Sequence, residues 1–132
     1  KNENYSDATL IEKYINEFIF VKDLIHEHNK EVEKLKSILG SGESEAIELC
    51  LQENAKLLLI DNLEPRKIAE LKGLECRSTP GVLLEALKNK ILTFNEYESS
   101  IKELSKYAWL SGDMVAYFLD AGYKIKEKGE SK

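Results

Sequence analysis

Lys56-Leu57-Leu58-Leu59-Ile60-Asp61 sets four consecutive aliphatic residues between charged ends. A run with no polar residue at alternate positions is the pattern of a strand covered on both faces, as in a parallel sheet. Downstream, residues 64–72 read as a short helix with Pro65 in its first turn and Gly73 just past its end. Residues 74–77 read as a second short strand. Residues 80–91 form a helix that buries Val82, Leu83, Ala86 and Leu87. Residues 94–110 form another, with Tyr97, Ile101, Leu104 and Ala108 on one face. A last helix over 113–121 carries Met114, Val115, Phe118 and Leu119 and stops at Gly122. Upstream, residues 42–54 present Ala46, Ile47, Cys50 and Leu51 to the core, and Asn29 stands as the N-cap of a helix faced by Val32, Leu35, Ile38 and Leu39. A helical pattern over 8–16 leads into a short strand, Phe18-Ile19-Phe20-Val21. Residues 1–7 and the lysine-rich tail 123–132 read as solvated ends. Strands alternating with helices predict an α/β sheet with helices on both faces.

The length of 132 residues, with 42% hydrophobic and 33% charged residues, describes one soluble domain with a core of its own. The longest apolar run, Leu57 to Ile60, is far short of the ~20 residues that span a bilayer. Residues 1–7 are polar and no short apolar core follows them, so no signal peptide is visible. Cys50 and Cys76 fit no metal-ligand spacing and sit inside apolar patterns, which reads as two small core residues of a cytoplasmic chain. A net charge of −5 argues against broad nonspecific binding to nucleic acid. It leaves open an enzyme that collects carboxylates around a metal and meets phosphate through it. The chain opens on Lys1 rather than Met, so the expectation is a native start further upstream.

Asp61 closes the buried strand, and in open parallel sheets ligands bind at the carboxyl ends of strands. Glu43 and Glu45 stand in the first turn of the preceding helix. A helix of about twelve residues that leads into a strand begins at that strand's carboxyl edge, which would bring one or both glutamates near Asp61. Their oxygens suit Mg²⁺ or Mn²⁺. Two simpler readings stand beside this one: the macrodipole alone favours Glu in a first turn, and an Asp after a strand often caps the next helix. His26-Glu27-His28 lacks the His-Glu-x-x-His spacing, and histidines two apart do not share a helix face, so both read as surface residues. Tyr97 and Tyr117 fall on core faces. Trp109, near a helix end, reads as packing rather than as a platform for a base.

Three blocks in order carry a family resemblance: Gly42-Glu43-Ser44-Glu45-Ala46-Ile47; Leu57-Leu58-Leu59-Ile60-Asp61 with Arg66-Lys67-Ile68-Ala69; and Thr79-Pro80-Gly81-Val82-Leu83-Leu84-Glu85-Ala86-Leu87-Lys88. Over residues 18–122 the chain resembles PIN-like domains, predicted nucleic-acid-binding proteins related to the VapC toxin ribonucleases. In that family the first block supplies an acid at a helix start and the second an acid at a strand end. The third is a Gly-Thr-x-Gly-Ile-Leu turn into a helix, here with Ser78 in place of the first glycine.

The resemblance implies a three-layer α/β/α fold with a small parallel sheet and a Mg²⁺- or Mn²⁺-dependent endoribonuclease, cytoplasmic and homodimeric. It also implies the toxin role in a toxin–antitoxin pair, with RNA and an antitoxin protein as partners. By carry-over Glu45 and Asp61 are the catalytic and metal-binding acids, with Glu43 assisting. Arg66 and Thr79 are placed on the RNA substrate; a solvent-facing helix arginine or a structural ion pair for Arg66, and a helix cap for Thr79, are the alternatives. The sequence departs from the family where an Asp-Ser/Thr motif should end an N-terminal strand: Asp7-Ala8-Thr9 follows no strand-like run. The expectation is therefore a single PIN-like domain over 1–132 that lacks its N-terminal strand and helices, roughly forty to fifty residues judged by domain size. The rival from another class is a non-catalytic PIN-like module that binds RNA or protein.

Overall fold

The computed structural model describes residues 6–107 and 110–130. The chain divides into two compact units, Lys1–Ala55 and Lys56–Lys132.

The first unit holds α1 (Ser6–Tyr14), α2 (His26–Leu35) and α3 (Ser41–Gln52). Past α1 the chain folds back at Asn16, whose φ of 70° is left-handed, and Ile15 bridges Ile19. The strand expected over 18–21 therefore does not form. Its residues make a turn closed on the Tyr14 carbonyl, with Phe18, Phe20 and Val21 exposed. Asn29 is not a cap either, because α2 starts three residues earlier, after Ile25, and the Asn29 side-chain Nδ2 donates back to the Leu24 carbonyl at 3.1 Å. Val32, Leu35 and Leu39 are buried as expected, while Ile38 faces out. α2 packs on α3, which contributes Ser44, Ile47, Glu48 and Cys50. Gln52 straps the segment ahead of α2: its Oε1 accepts from the Ile25 amide at 2.8 Å and its Nε2 donates to the Asp23 carbonyl at 3.0 Å.

In the second unit β1 (Leu58–Leu59) pairs in parallel with β2 (Cys76–Arg77), Leu58 opposite Cys76, and α4 (Leu63–Leu71) connects them. Leu58 and Ile60 are buried but Leu59 is 62% exposed, so the aliphatic run is covered on one face rather than two. A strand's side chains alternate, and a run of four aliphatics cannot tell one covered face from two. Then α5 (Thr79–Lys88), α6 (Phe94–Ser105) and α7 (Gly112–Glu130) pack on one another around Leu87, Tyr97, Ile101 and Phe118. Val82, expected inside, is exposed; α5 turns Leu83, Leu84 and Leu87 inward instead.

α6 ends at Ser105, and Ala108 and Trp109 lie outside the described residues. α7 does not stop at Gly122 but continues through the lysine-rich segment to Glu130. Gly122 serves close packing: a Cβ there would press into the Tyr97 ring, 2.9 Å from Cδ2. The expected parallel sheet is thus present as two strands in a mostly helical chain, and two strands do not by themselves make three layers. Among the described residues no helix is long and apolar enough to cross a membrane.

Candidate functional site

Parallel pairing fixes the first element of the site. With Leu58 opposite Cys76 and Leu59 opposite Arg77, the same offset sets Asp61, two residues past β1, beside Thr79 at the start of α5. Asp61 Oδ1 accepts from the Thr79 backbone N–H at 2.7 Å and Oδ2 from the Thr79 hydroxyl at 2.8 Å. The carboxylate thus meets the positive end of α5, where unpaired N–H groups and the macrodipole favour an anion. Ser78, the N-cap, completes that helix start by accepting from the Gly81 N–H at 3.3 Å. Gly81 leaves room for the Arg77 side chain, since a Cβ there would stand 2.9 Å from Arg77 Cγ. Leu59, Ile60, Asp61, Thr79 and Val82 line a cleft of about 270 Å³.

This resolves two of the alternatives left open by the residues. Asp61 does cap a helix, but α5 rather than α4, whose N-cap is Asn62. Thr79 is not the cap of α5; it donates both of its bonds to Asp61. Arg66, in α4, is not among the residues lining the Asp61 cleft. It is half-buried, and its Nε finds no hydrogen-bond partner among the described residues. The structural ion pair considered for it is not formed there.

The two glutamates belong to the first unit. Glu43 lies in the first turn of α3, and Glu45, exposed, lines a cleft of about 630 Å³ with Lys22, Asp23, Leu24, Asn29, Gly42, Ala46 and Leu49. The same helix carries a feature that reading the sequence missed. Glu48 is 1% exposed, and its Oε1 lies 2.8 Å from His28 Nδ1. His28 is therefore a half-buried partner of a core carboxylate rather than a surface residue. The one cue was an acid at position 48 between Ile47 and Cys50, on the stripe that faces inward. The free thiol of Cys50 is buried nearby in sequence, and burial pushes its pKa up, which keeps it in the inert thiol form.

A divalent metal needs several oxygen ligands drawn together. Among the described residues no three His, Cys, Asp or Glu side chains form such a group. Both Asp61 oxygens already accept hydrogen bonds from Thr79. These residues do not, by themselves, fit a Mg²⁺ or Mn²⁺ centre.

A family model, DUF3368, a PIN domain, matches residues 1–121. No match was found among curated proteins or among solved structures.

Proposed function

The chain belongs to the PIN-domain family, a nuclease-like fold, and on that premise we propose that it acts on RNA as an endoribonuclease of the PIN type. The observation that carries this reading is Asp61, a carboxylate at the carboxyl edge of a parallel strand pair, oriented by two hydrogen bonds beside an open cleft. Glu45, and Glu43 beside it on α3, are the further acids of the proposal. The ion of the proposal is Mg²⁺ or Mn²⁺, which would need ligands beyond these acids and would supply an activated water and charge stabilisation at the phosphate. Thr79 acts here as a positioning residue, since it holds Asp61 and not substrate. Arg66 is assigned to a phosphate oxygen through the outer end of its guanidinium, since its Nε is buried. A toxin role opposite an antitoxin protein, a homodimer and a cytoplasmic location belong to the same proposal.

A second reading, RNA binding without hydrolysis, is favoured by one observation. Asp61 spends both oxygens on capping α5, a structural use that needs no metal.

Asp61→Asn separates the two readings, because it keeps an acceptor for the Thr79 N–H while removing the charge. Mn²⁺ titration by calorimetry and cleavage of a labelled single-stranded RNA are measured on the chain and on this variant. The hydrolytic reading expects Mn²⁺ binding and cleavage in the chain and loss of both in Asp61→Asn, with its melting temperature lowered by no more than a few degrees. A chain that retains RNA but neither binds Mn²⁺ nor cuts leaves the binding reading alone.

A further inference from the structure

At the far end of α5 from Asp61, Leu87, Lys88, Lys90, Leu92 and Thr93 meet Ile125, Lys128 and Gly129 of α7 around a groove of about 550 Å³. Its floor is aliphatic, its rim carries three lysines, and no carboxylate lines it. In this unit Lys102 holds Glu98 at 3.5 Å, Lys106 holds Glu103 at 3.3 Å, and Lys124 holds Asp120 at 3.1 Å. Lys88, Lys90 and Lys128 have no such partner among the described residues.

A second observation is independent of charge. Among the described residues three helices end in the same way, with a left-handed residue just past the cap whose N–H bonds the carbonyl of the next-to-last helical residue. The following N–H reaches one residue deeper. After α3 that residue is Asn54 (φ 53°), with Asn54 N–H on Leu51 O and Ala55 N–H on Cys50 O. After α4 it is Gly73 (φ 88°), with bonds to Glu70 O and Ala69 O. After α5 it is Lys90 (φ 61°), with bonds to Leu87 O and Ala86 O. Glycine and asparagine are the usual occupants of this conformation, and a side chain like lysine's is disfavoured there. At the one helix end that opens on the groove, the favourable residue is replaced by a strained lysine. Strain of this kind marks a position held for something other than the fold.

We propose that this groove binds the phosphodiester backbone of single-stranded RNA, with phosphates on Lys88, Lys90 and Lys128 and sugars and bases over Leu87, Leu92 and Ile125. The inference rests on the RNA-acting reading and extends it. α5 has its first turn at the Asp61 cleft and its last at the groove, so ten residues of helix, about 15 Å, separate the two. A strand anchored on the lysines would thus run a few nucleotides along α5 to Asp61. No aromatic side chain lines the groove, so recognition would be of the backbone and indifferent to base. The chain's net charge of −5 does not oppose this at contact range, since charges beyond about 8 Å are screened at physiological salt.

The test is fluorescence anisotropy with a fluorescein-labelled oligouridine about twelve nucleotides long, titrated across salt concentrations. The full chain is compared with the triple variants K88Q/K90Q/K128Q and K88R/K90R/K128R. The glutamine variant should bind about tenfold or more weakly and lower the salt slope by about 2, as three lost phosphate contacts require. The arginine variant should bind as the parent does. Lys90→Gly adds a readout that a structural role cannot give: a melting temperature higher by several degrees together with weaker RNA binding. Unchanged affinity and slope in the glutamine variant would overturn the proposal. So would lysine-dependent binding of a labelled Glu/Leu amphipathic peptide in preference to the RNA. RNA bound through the lysines but never cut would sink the hydrolytic reading and leave the groove. RNA cut equally well by parent and glutamine variant would do the reverse.

Discussion

Tyr97 and Gly122 form one contact seen from two helices. The Tyr97 ring is fully buried, its hydroxyl donates to the Phe118 carbonyl at 2.6 Å, and its edge lies where a Cβ on residue 122 would be. Gly122→Ala must displace either a fully packed ring or the α7 backbone, and overpacking of this kind costs about 1–3 kcal/mol. Thermal or urea unfolding checks it. Read in sequence alone, Gly122 is ambiguous, since glycine marks helix ends and close approaches alike; only the ring packed against it decides. Burial first, and the neighbouring Tyr117 second, push the Tyr97 phenol up to about 12. The folded chain therefore keeps a proton that the unfolded chain gives up near pH 10, the ordinary value. Stability from this group is full below pH 10 and falls as pH rises toward 12, by up to one proton's worth per pH unit. Tyr97→Phe should flatten that alkaline decline in chemical unfolding. At neutral pH it should lose about 1 kcal/mol for the missing hydrogen bond.

At the scale of elements, the helix ends carry the sharpest expectations. Lys90→Gly removes a left-handed residue with a side chain and keeps the two closing hydrogen bonds. It should stabilise the chain by about 1 kcal/mol in urea unfolding. The start of α5 gives the opposite sign. Asp61→Ala deletes the acceptor of both Thr79 bonds and should cost about 1–2 kcal/mol, whereas Asp61→Asn should lose less than half of that. A full-size loss in Asp61→Asn would mean that charge at the helix end, not the acceptor, supports α5. Several helices were readable from periodicity, because α3, α5 and α6 each bury one stripe. Asp61 was readable as a strand-end acid, yet its partner was not: Thr79 lies eighteen residues away, and strand pairing is a tertiary fact. The turn at 18–21 was misread for a related reason. Phe18, Phe20 and Val21 have strand-forming side chains, but pairing requires a neighbour, and among the described residues only Ile15 and Ile19 pair here.

At the scale of the whole molecule, the division into units at Ala55 and Lys56 separates two kinds of core. The second unit is held by Leu87, Tyr97, Ile101 and Phe118, an apolar cluster with one satisfied hydroxyl. The first places a carboxylate, Glu48, among Val32, Leu35, Ile47 and Cys50, and draws its His28 partner from α2. Buried polar pairs are asymmetric: removing one partner leaves the desolvation of the other uncompensated, at about 1–3 kcal/mol. His28→Ala should therefore weaken the packing of α2 on α3 by that amount, and His28→Gln, which keeps a donor, should recover part of it. Because stability is distributed unevenly across such units, the loss has a place. Amide exchange should quicken over residues 26–52 while α5, α6 and α7 keep their protection. Exchange quickening equally at Tyr97 and Ile101 would show that the two units unfold as one, and the His28–Glu48 pair would then support the entire chain.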